Sequence, residues 1–499
     1  MRPGLAVLSV VAVLAAGVVA GSGGAVAEPA ATSTPALSQY TAVTPARVLD
    51  TQAGALVGAG GTVTVDLSGR LPVTATAVVL NVTGLAASAA TSVTAYQTGT
   101  TRPGTAAVNL HANESRAGSV TVRVGPDRKV DLHNAAGSLH LVADLSGYYA
   151  TGSGAKFQTT ATAELFDVVL ATAVTTTVDL SAHVPAGVTA VAVTLTAGQS
   201  SAQTSVTAWQ AGSARPDTSV VTVAARRTAS NLAVVAVGAD RKVNLWNQAG
   251  TVRLIGQLAG YYGADAAGAF VPVTPHRALD TTTGLGAAGP LVAGGYLSFD
   301  ATVAAPALPI SGVVANLTGT QGTAAARISM SQSPADPTAR TLYVDAARTA
   351  TTQVLAPLFD RRVKLRNVET SGSVHLRGDV TGYFVQTCPG VAGCVFAWGA
   401  GVNGEFGDGT SDYRAEPKPI PGFGDVVAVA GGSSENMALR ADGTVWVWGH
   451  GEAVPGWTAY RPVRVPVPSG ITGRSRQRPG ARVGRHGVVV GPHRLRPDR

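Results

Sequence analysis

The sequence predicts an all-β protein: three tandem antiparallel β-sandwich or jelly-roll-like domains, followed by a partial β-propeller of about one to two blades. Three observations carry this. One frame is spelled three times, as VGPDRKVDLHNAAGSLHLVADLSGYY from Val124 to Tyr149, VGADRKVNLWNQAGTVRLIGQLAGYY from Val237 to Tyr262, and more loosely FDRRVKLRNVETSGSVHLRGDVTGYF from Phe359 to Phe384. Within each copy, runs such as TAVVLNVTG, TAVAVTLTAG and ISGVVANLTG are rich in Val, Thr and Leu, end at Gly and read at period 2, so successive side chains point to opposite faces. Beyond the N-terminal segment no stretch carries apolar residues at i, i+3, i+4 and i+7.

The N-terminus predicts export. Arg2 precedes an apolar run from Leu5 to Ala20, and the small residues Ala25 and Ala27 stand before Glu28. This is the layout of a cleaved signal peptide over 1–27, followed by a Pro/Ala/Thr linker over 28–42. No later window approaches the ~20 apolar residues of a spanning helix, so a secreted or surface protein with no membrane span after cleavage is expected.

Charged residues make up 13% of the 499, about half the usual ~25%, and the formal net charge is +8. That positive charge is local. Between Arg461 and Arg499 lie ten arginines and one acid, Asp498, so 27 of the 37 basic and 28 of the 29 acidic residues remain in the rest of the chain. A near-neutral body offers no electrostatic footprint for nucleic acid.

The repeats span 43–150, 157–263 and 270–385. TPARVLDT at Thr44 corresponds to TAELFDV at Thr162 and TPHRALDT at Thr274; VTAYQTG at Val93 corresponds to VTAWQAG at Val206. The GY[YF] endings begin at Gly147, Gly260 and Gly382, a spacing that matches a whole small domain rather than a solenoid unit. In the first two frames the GPDRK and GADRK turns join two alternating runs as a β-hairpin does. The paired aromatics are expected to lie across a sheet edge or seal one end of a sandwich, with each sandwich a separate double-layered body. This set of motifs resembles a repeat common in exported proteins of high-GC Gram-positive bacteria, over about Thr41 to Val385. The resemblance implies a surface or secreted module with no defined chemistry. The second copy departs from it, with Glu164 in place of Arg47 and Gln257 in place of Asp144.

A different pattern occupies 388–472. FAWG and WVWG place Trp398 and Trp448 fifty residues apart, the length of one four-stranded blade. Ala438 to Gly449, with GEFGDG from Gly404, resemble the regulator-of-chromosome-condensation type repeat, which implies propeller blades without implying an activity. One blade cannot close a propeller. The remaining 473–499 is an Arg, Gly and Pro-rich basic tail, expected to be disordered. With permitted codons, a one-nucleotide shift over Gly484 to Arg499 reads DGTVWSWGHTAYGQT, so a frameshift near Thr472 that truncates a propeller is expected.

The search for chemistry is largely negative. G-x-S-x-G, H-E-x-x-H, P-loop and C-x-x-C motifs are absent, and the nine histidines are scattered, so no enzyme, cofactor or metal is expected. His140 and His375 share a position that Arg253 fills in the second copy, and read as exposed strand residues. Arg47 with Asp50, and Arg277 with Asp280, are candidate polar-ligand clamps through the guanidinium fork; a hairpin-end ion pair is the alternative, favoured because Asp167 has no matching Arg. Arg377-Gly378-Asp379 spells an adhesion tripeptide but sits on a predicted strand. Cys388 and Cys394, the only cysteines, read as a small disulfide across CPGVAGC. Tyr96 and Trp209 hold equivalent, exposed-looking positions and are candidate stacking residues for sugars, with core packing as the alternative. The expected function is an exported, non-enzymatic scaffold or binding module, monomeric, contacting cell-wall or environmental glycan or another surface protein. The alternatives are an accessory region of a secreted hydrolase and a protein-interaction propeller.

Overall fold

The computed structural model describes residues 10–13, 36–263, 266–305, 308, 310–330, 340–358, 361–387, 394–411, 413–420, 423–451, 454, 456 and 458–465. The described residues contain strands and no helix. They divide into two compact units, Thr34–Val385 and a unit that joins Met1–Ser33 to Gln386–Arg499.

Strand β1 (Val10–Val13) belongs to the second of these units. The first repeat supplies β2 (Gln39–Asp50), β3 (Thr62–Asp66), β4 (Ala75–Leu85), β5 (Thr91–Gln97), β6 (Val108–Leu110), β7 (Arg116–Arg123), β8 (Lys129–Asn134) and β9 (His140–Ala150). The second supplies β10 (Lys156–Leu170), β11 (Thr175–Asp179), β12 (Val188–Gly198), β13 (Thr204–Gln210), β14 (Val221–Val223), β15 (Ala229–Ala236), β16 (Lys242–Asn247) and β17 (Val252–Gly263). The third supplies β18 (Gly268–Asp280), β19 (Leu291–Val292), β20 (Tyr296–Asp300), β21 (Ile310–Thr320), β22 (Ala326–Ser329), β23 (Leu342–Val344), β24 (Ala350–Pro357), β25 (Arg362–Asn367) and β26 (Ser373–Gln386).

Each repeat is a jelly roll. In the first, β2-β9-β4-β7 forms one sheet and β3-β8-β5-β6 the other. The second and third repeat that order as β10-β17-β12-β15 over β11-β16-β13-β14, and β18-β26-β21-β24 over β20-β25-β22-β23, with the short β19 added beside β26. Apart from the adjacent pairs β5–β6, β13–β14 and β22–β23 and the added β19, successive strands of each repeat cross between sheets, the double Greek key of this fold. The two sheets of each repeat enclose a Val- and Leu-rich core of their own.

The repeats are not separate bodies, and this corrects the sequence expectation. A fourth apolar cluster draws from all three: Tyr40, Ala77 and Tyr149 from the first, Phe157, Ala190 and Tyr262 from the second, Phe270, Val314 and Phe384 from the third. The paired aromatics neither line a sheet edge nor seal a sandwich end, because the second ring of each pair is buried in this shared core. The physical reason is visible in the strands. In β4 nearly every side chain is buried on both faces, one toward its own sandwich and one toward the neighbouring repeats, whereas β3 alternates with exposed Thr. A continuous run such as AVVLNV is the pattern of a strand covered on both faces.

Backbone pairing closes the three repeats into a ring. Tyr40 and Ala155 exchange two hydrogen bonds of 2.8 Å, Ser38 and Phe270 exchange bonds of 2.9 and 2.7 Å, and Phe157 pairs with Gly268. In every case a residue two before the first-strand aromatic of one repeat pairs with the first-strand aromatic of another. The rings follow the same rotation: Tyr40 packs on Tyr262 at 4.3 Å, Phe157 stacks on Phe384 at 4.2 Å and Phe270 on Tyr149 at 4.0 Å between centroids. The first strand thus begins at Gln39, inside the segment read as linker.

The glycine of GY[YF] has a steric role. A Cβ on Gly147, Gly260 or Gly382 would collide with the ring of Tyr40, Phe157 or Phe270 respectively. Only glycine lets each first-strand aromatic lie flat over the last strand.

In the other unit β27 (Val395–Ala400) lies between β1 and β28 (Tyr413–Pro419). Next, β29 (Val426–Gly431), β30 (Glu435–Arg440), β31 (Val445–His450) and β32 (Thr458–Val465) form a four-stranded antiparallel meander, the layout of one propeller blade. Trp448 is fully buried, and its Nε1 donates to Glu405 O at 2.9 Å, with Asn436 Nδ2 donating to the same carbonyl at 3.0 Å. This ties GEFGDG to the WVWG strand. Strand β1 falls within the stretch read as signal peptide, so cleavage after Ala27 would remove it. The stretch around Thr472, where the frameshift is expected, and the basic tail from 473 lie outside the described residues.

Candidate functional site

The polar residues singled out in the sequence converge on the seams between repeats. Arg47 Nε donates to Asp144 Oδ1 at 3.0 Å, its Nη1 lies 3.4 Å from Asp50, and the loop of the second repeat covers the pair, with Ser219 N donating to Asp144 Oδ2 at 3.4 Å. In the third repeat Arg277 Nε and Nη2 donate to the two oxygens of Asp379 at 2.8 and 3.2 Å, its Nη1 sits 3.2 Å from Asp280, and Nη2 also donates to Gly104 O of the first repeat. Asp280 also meets Arg377 at 3.2 Å. Gln257 holds the equivalent place in the second repeat, where its Oε1 accepts Arg340 N of the third. Each repeat thus carries a buried polar group under a loop of the next. This is the geometry of a structural clasp and leaves Asp144 and Asp379 almost no solvent exposure.

Burial raises the carboxyl pKa of Asp144 and of Asp379, and the guanidinium beside each opposes that shift only in part. Asp167 is matched after all. Its Arg comes from the adjacent strand, Arg253 Nε donating to Asp167 Oδ1 at 2.8 Å, rather than from the position of Arg47. His140 and His375 are half-buried and share hydrogen bonds with Thr51 and Thr281, at 3.3 and 2.9 Å. Asp379, the acid of the adhesion tripeptide, is buried under Arg277 and faces no solvent.

Between the seams runs a polar network that sequence reasoning missed. Asn231 Nδ2 donates to Asn81 Oδ1 at 2.8 Å, Asn231 Oδ1 accepts Ser119 N at 2.8 Å, and Ser119 and Thr121 both reach Gln353 Oε1. The signal was Asn81 inside VVLNVTG, an amide that would be stranded in an ordinary sandwich core; Asn316 inside ANLTG likewise reaches a neighbouring repeat, donating to Ala106 O at 3.0 Å.

The two candidate stacking residues fare differently. Trp209 is buried, 4% exposed, because the loop after β13 folds back over it and Ser213 O accepts its Nε1 at 3.0 Å. That corrects its reading as exposed: local loop closure, which alternation does not report, took the ring out of solvent. Tyr96 is half-buried on the outward face of β5, opposite Asp131. The outward aromatic that remains half-open in the second repeat is Trp246, under the guanidinium of Arg215 at 3.7 Å. Arg102 reaches His133 in the equivalent place of the first repeat. Cys394 is disulfide-bonded, and Cys388, the only other cysteine of the chain, lies outside the described residues. Among the described residues no group of three His, Cys, Asp or Glu could hold a metal ion, and no helix is long and apolar enough to cross a membrane.

Residues 392–439 match the family described as Regulator of chromosome condensation (RCC1) repeat. No curated protein matches the sequence. Two solved structures are similar at 9% identity with a TM-score of 0.17, each over 70% of this chain and 91% of its own: Sulfolobus Turreted Icosahedral Virus, and the triple jelly roll fold and turret assembly of an archaeal virus. A TM-score that low carries no argument about this chain.

Proposed function

We propose that Thr34–Val385 is the non-enzymatic scaffold and binding module of an exported protein, and that it meets polysaccharide through its outer sheets. The observation that supports this is the shared core: the inner sheet of every repeat is spent on its neighbours, which leaves the three outer sheets and their loops as the available surface. Those sheets carry rows of hydroxyls, amides and aromatics, such as Thr177, Asn244 and Trp246 with Arg215. Rings flanked by hydrogen-bonding groups suit sugars, whose C–H faces stack on rings while their hydroxyls bond to side chains. The test is retention of the secreted protein on insoluble glycans of cell-wall and environmental origin. Retention that falls about five- to twelvefold in Trp246→Ala supports the reading, since one lost stack of about 1–1.5 kcal/mol corresponds to that range. Folded protein that no glycan retains would dismiss it.

The C-terminal unit favours a second reading for its own part of the chain. Its four-stranded meander and the match to an RCC1 repeat suit protein interaction through a propeller. Capture of a defined partner by a chain with further blades, and not by this one, would support it.

A further inference from the structure

We propose that the seam between the second and third repeats is a subsite for a carboxylate-bearing sugar residue; this deepens the glycan reading and rests on it. A cavity of about 150 Å³ opens there, lined by Thr196 and Ser230 of the second repeat and by Arg327, Arg340, Tyr343 and Glu369 of the third. Pockets that bury drug-sized ligands hold ~300–1,000 Å³, so this one takes a single small ring.

Its charges are unevenly matched. Arg327 Nε lies 3.1 Å from Glu369 Oε1 as an ion pair, though without hydrogen-bond geometry. Arg340 donates its backbone N to Gln257, and its side-chain Nε is buried without a hydrogen-bond partner among the described residues, the Asp167 carboxylate acting on the guanidinium only from beyond ion-pair distance. A buried donor of that kind calls for an acceptor, and a guanidinium fork fits a carboxylate. Thr196 Oγ1 and Ser230 Oγ, 3.4 Å apart, together with the Glu369 carboxylate, supply partners for ring hydroxyls. The phenol ring of Tyr343 offers an apolar wall.

The other two seams lack this set. By strand register, Arg327, Arg340, Tyr343 and Glu369 correspond to Ser205, Ser219, Thr222 and Ala249 in the second repeat, and to Ser92, Ala106, Asn109 and Ala136 in the first. Where the third repeat meets the first, Asn109 Nδ2 donates to Thr351 Oγ1 at 2.5 Å and the seam is bridged. Pseudo-threefold packing therefore needs no charge at these positions, and one seam alone carries three.

The experiment is isothermal titration of the mature chain with D-glucuronate, D-glucose and acetate, on the wild type, Arg340→Ala and Glu369→Gln, with circular dichroism to verify folding. The expected result is glucuronate binding at least about tenfold tighter than glucose or acetate, reduced about tenfold or more in Arg340→Ala and reduced in Glu369→Gln. Acetate binding as tightly as glucuronate, or glucuronate binding unchanged in folded Arg340→Ala, would overturn it. Retention on insoluble glycan without glucuronate binding would remove this subsite alone; glucuronate binding without such retention would remove the outer-sheet reading alone.

Discussion

Phe270, from the third repeat, stacks on Tyr149, from the first, at 4.0 Å between ring centroids and 28° between planes. Residues more than a hundred positions apart thereby share one core, and the Tyr149 hydroxyl continues it into the second repeat through a 2.5 Å hydrogen bond with Tyr262. Replacing a buried Phe by Ala costs about 3–5 kcal/mol through lost transfer energy and the cavity left behind. Phe270→Ala is expected to lose that much in denaturant unfolding and to expose cleavage sites in all three repeats to limited proteolysis. Damage confined to the third repeat would contradict the shared core.

Gly382→Ala places a methyl against the Phe270 ring, while Gly69→Ala meets nothing within 4 Å. Overpacking of a close core costs about 1–3 kcal/mol, and exposed surface substitutions stay within about 0.5 kcal/mol. Equal midpoints for the two variants in urea would refute the steric role assigned to GY[YF].

Asp379→Ala removes the acceptor of two Arg277 hydrogen bonds beneath the loop of the first repeat. Bonds to charged groups are worth about 1.5–3 kcal/mol, so a loss near about 2 kcal/mol is expected, seen as a lower unfolding midpoint. The partial exposure of Arg277 keeps the figure below that of a fully buried pair.

Acidification should weaken the seam between the third and first repeats. Burial, aided by Arg348, holds the pKa of His111 below its ordinary value, and its Nε2 accepts Thr349 N at 3.2 Å. The unfolded chain takes up the proton first, near about pH 6.5, so this stabilisation is complete above that value and is lost as pH falls toward the lower folded pKa. His133, held low by burial and Arg102, adds with the same sign. His111→Gln, measured by denaturant midpoints between pH 7 and 5, should flatten the slope; an unchanged slope would show that His111 does not titrate this seam.

Much of the fold was legible in the sequence. Period-2 runs and turn residues sufficed for strands, and the thrice-spelled frame sufficed for three repeats. The shared core was half legible: AVVLNV is apolar on both faces, but an apolar outer face does not state what covers it, and the covering residues are a repeat away. The candidate clamp residues were found, yet their partners were not, because Asp144 and Asp379 approach Arg47 and Arg277 from strands about a hundred residues distant. Trp209 was misread because alternation places a ring on a face but is silent about the loop that folds over it. The seam cavity left no local signal, since its charges become unusual only when the three repeats are superposed.

The most direct measurement is small-angle scattering of Thr34–Val385. One closed body of that length has a radius of gyration of about 20 Å. A value near that figure is what the ring of β-bridges and the shared aromatic core predict. Three ~13 Å bodies strung on linkers would give a value well above about 25 Å, and that result would contradict the account.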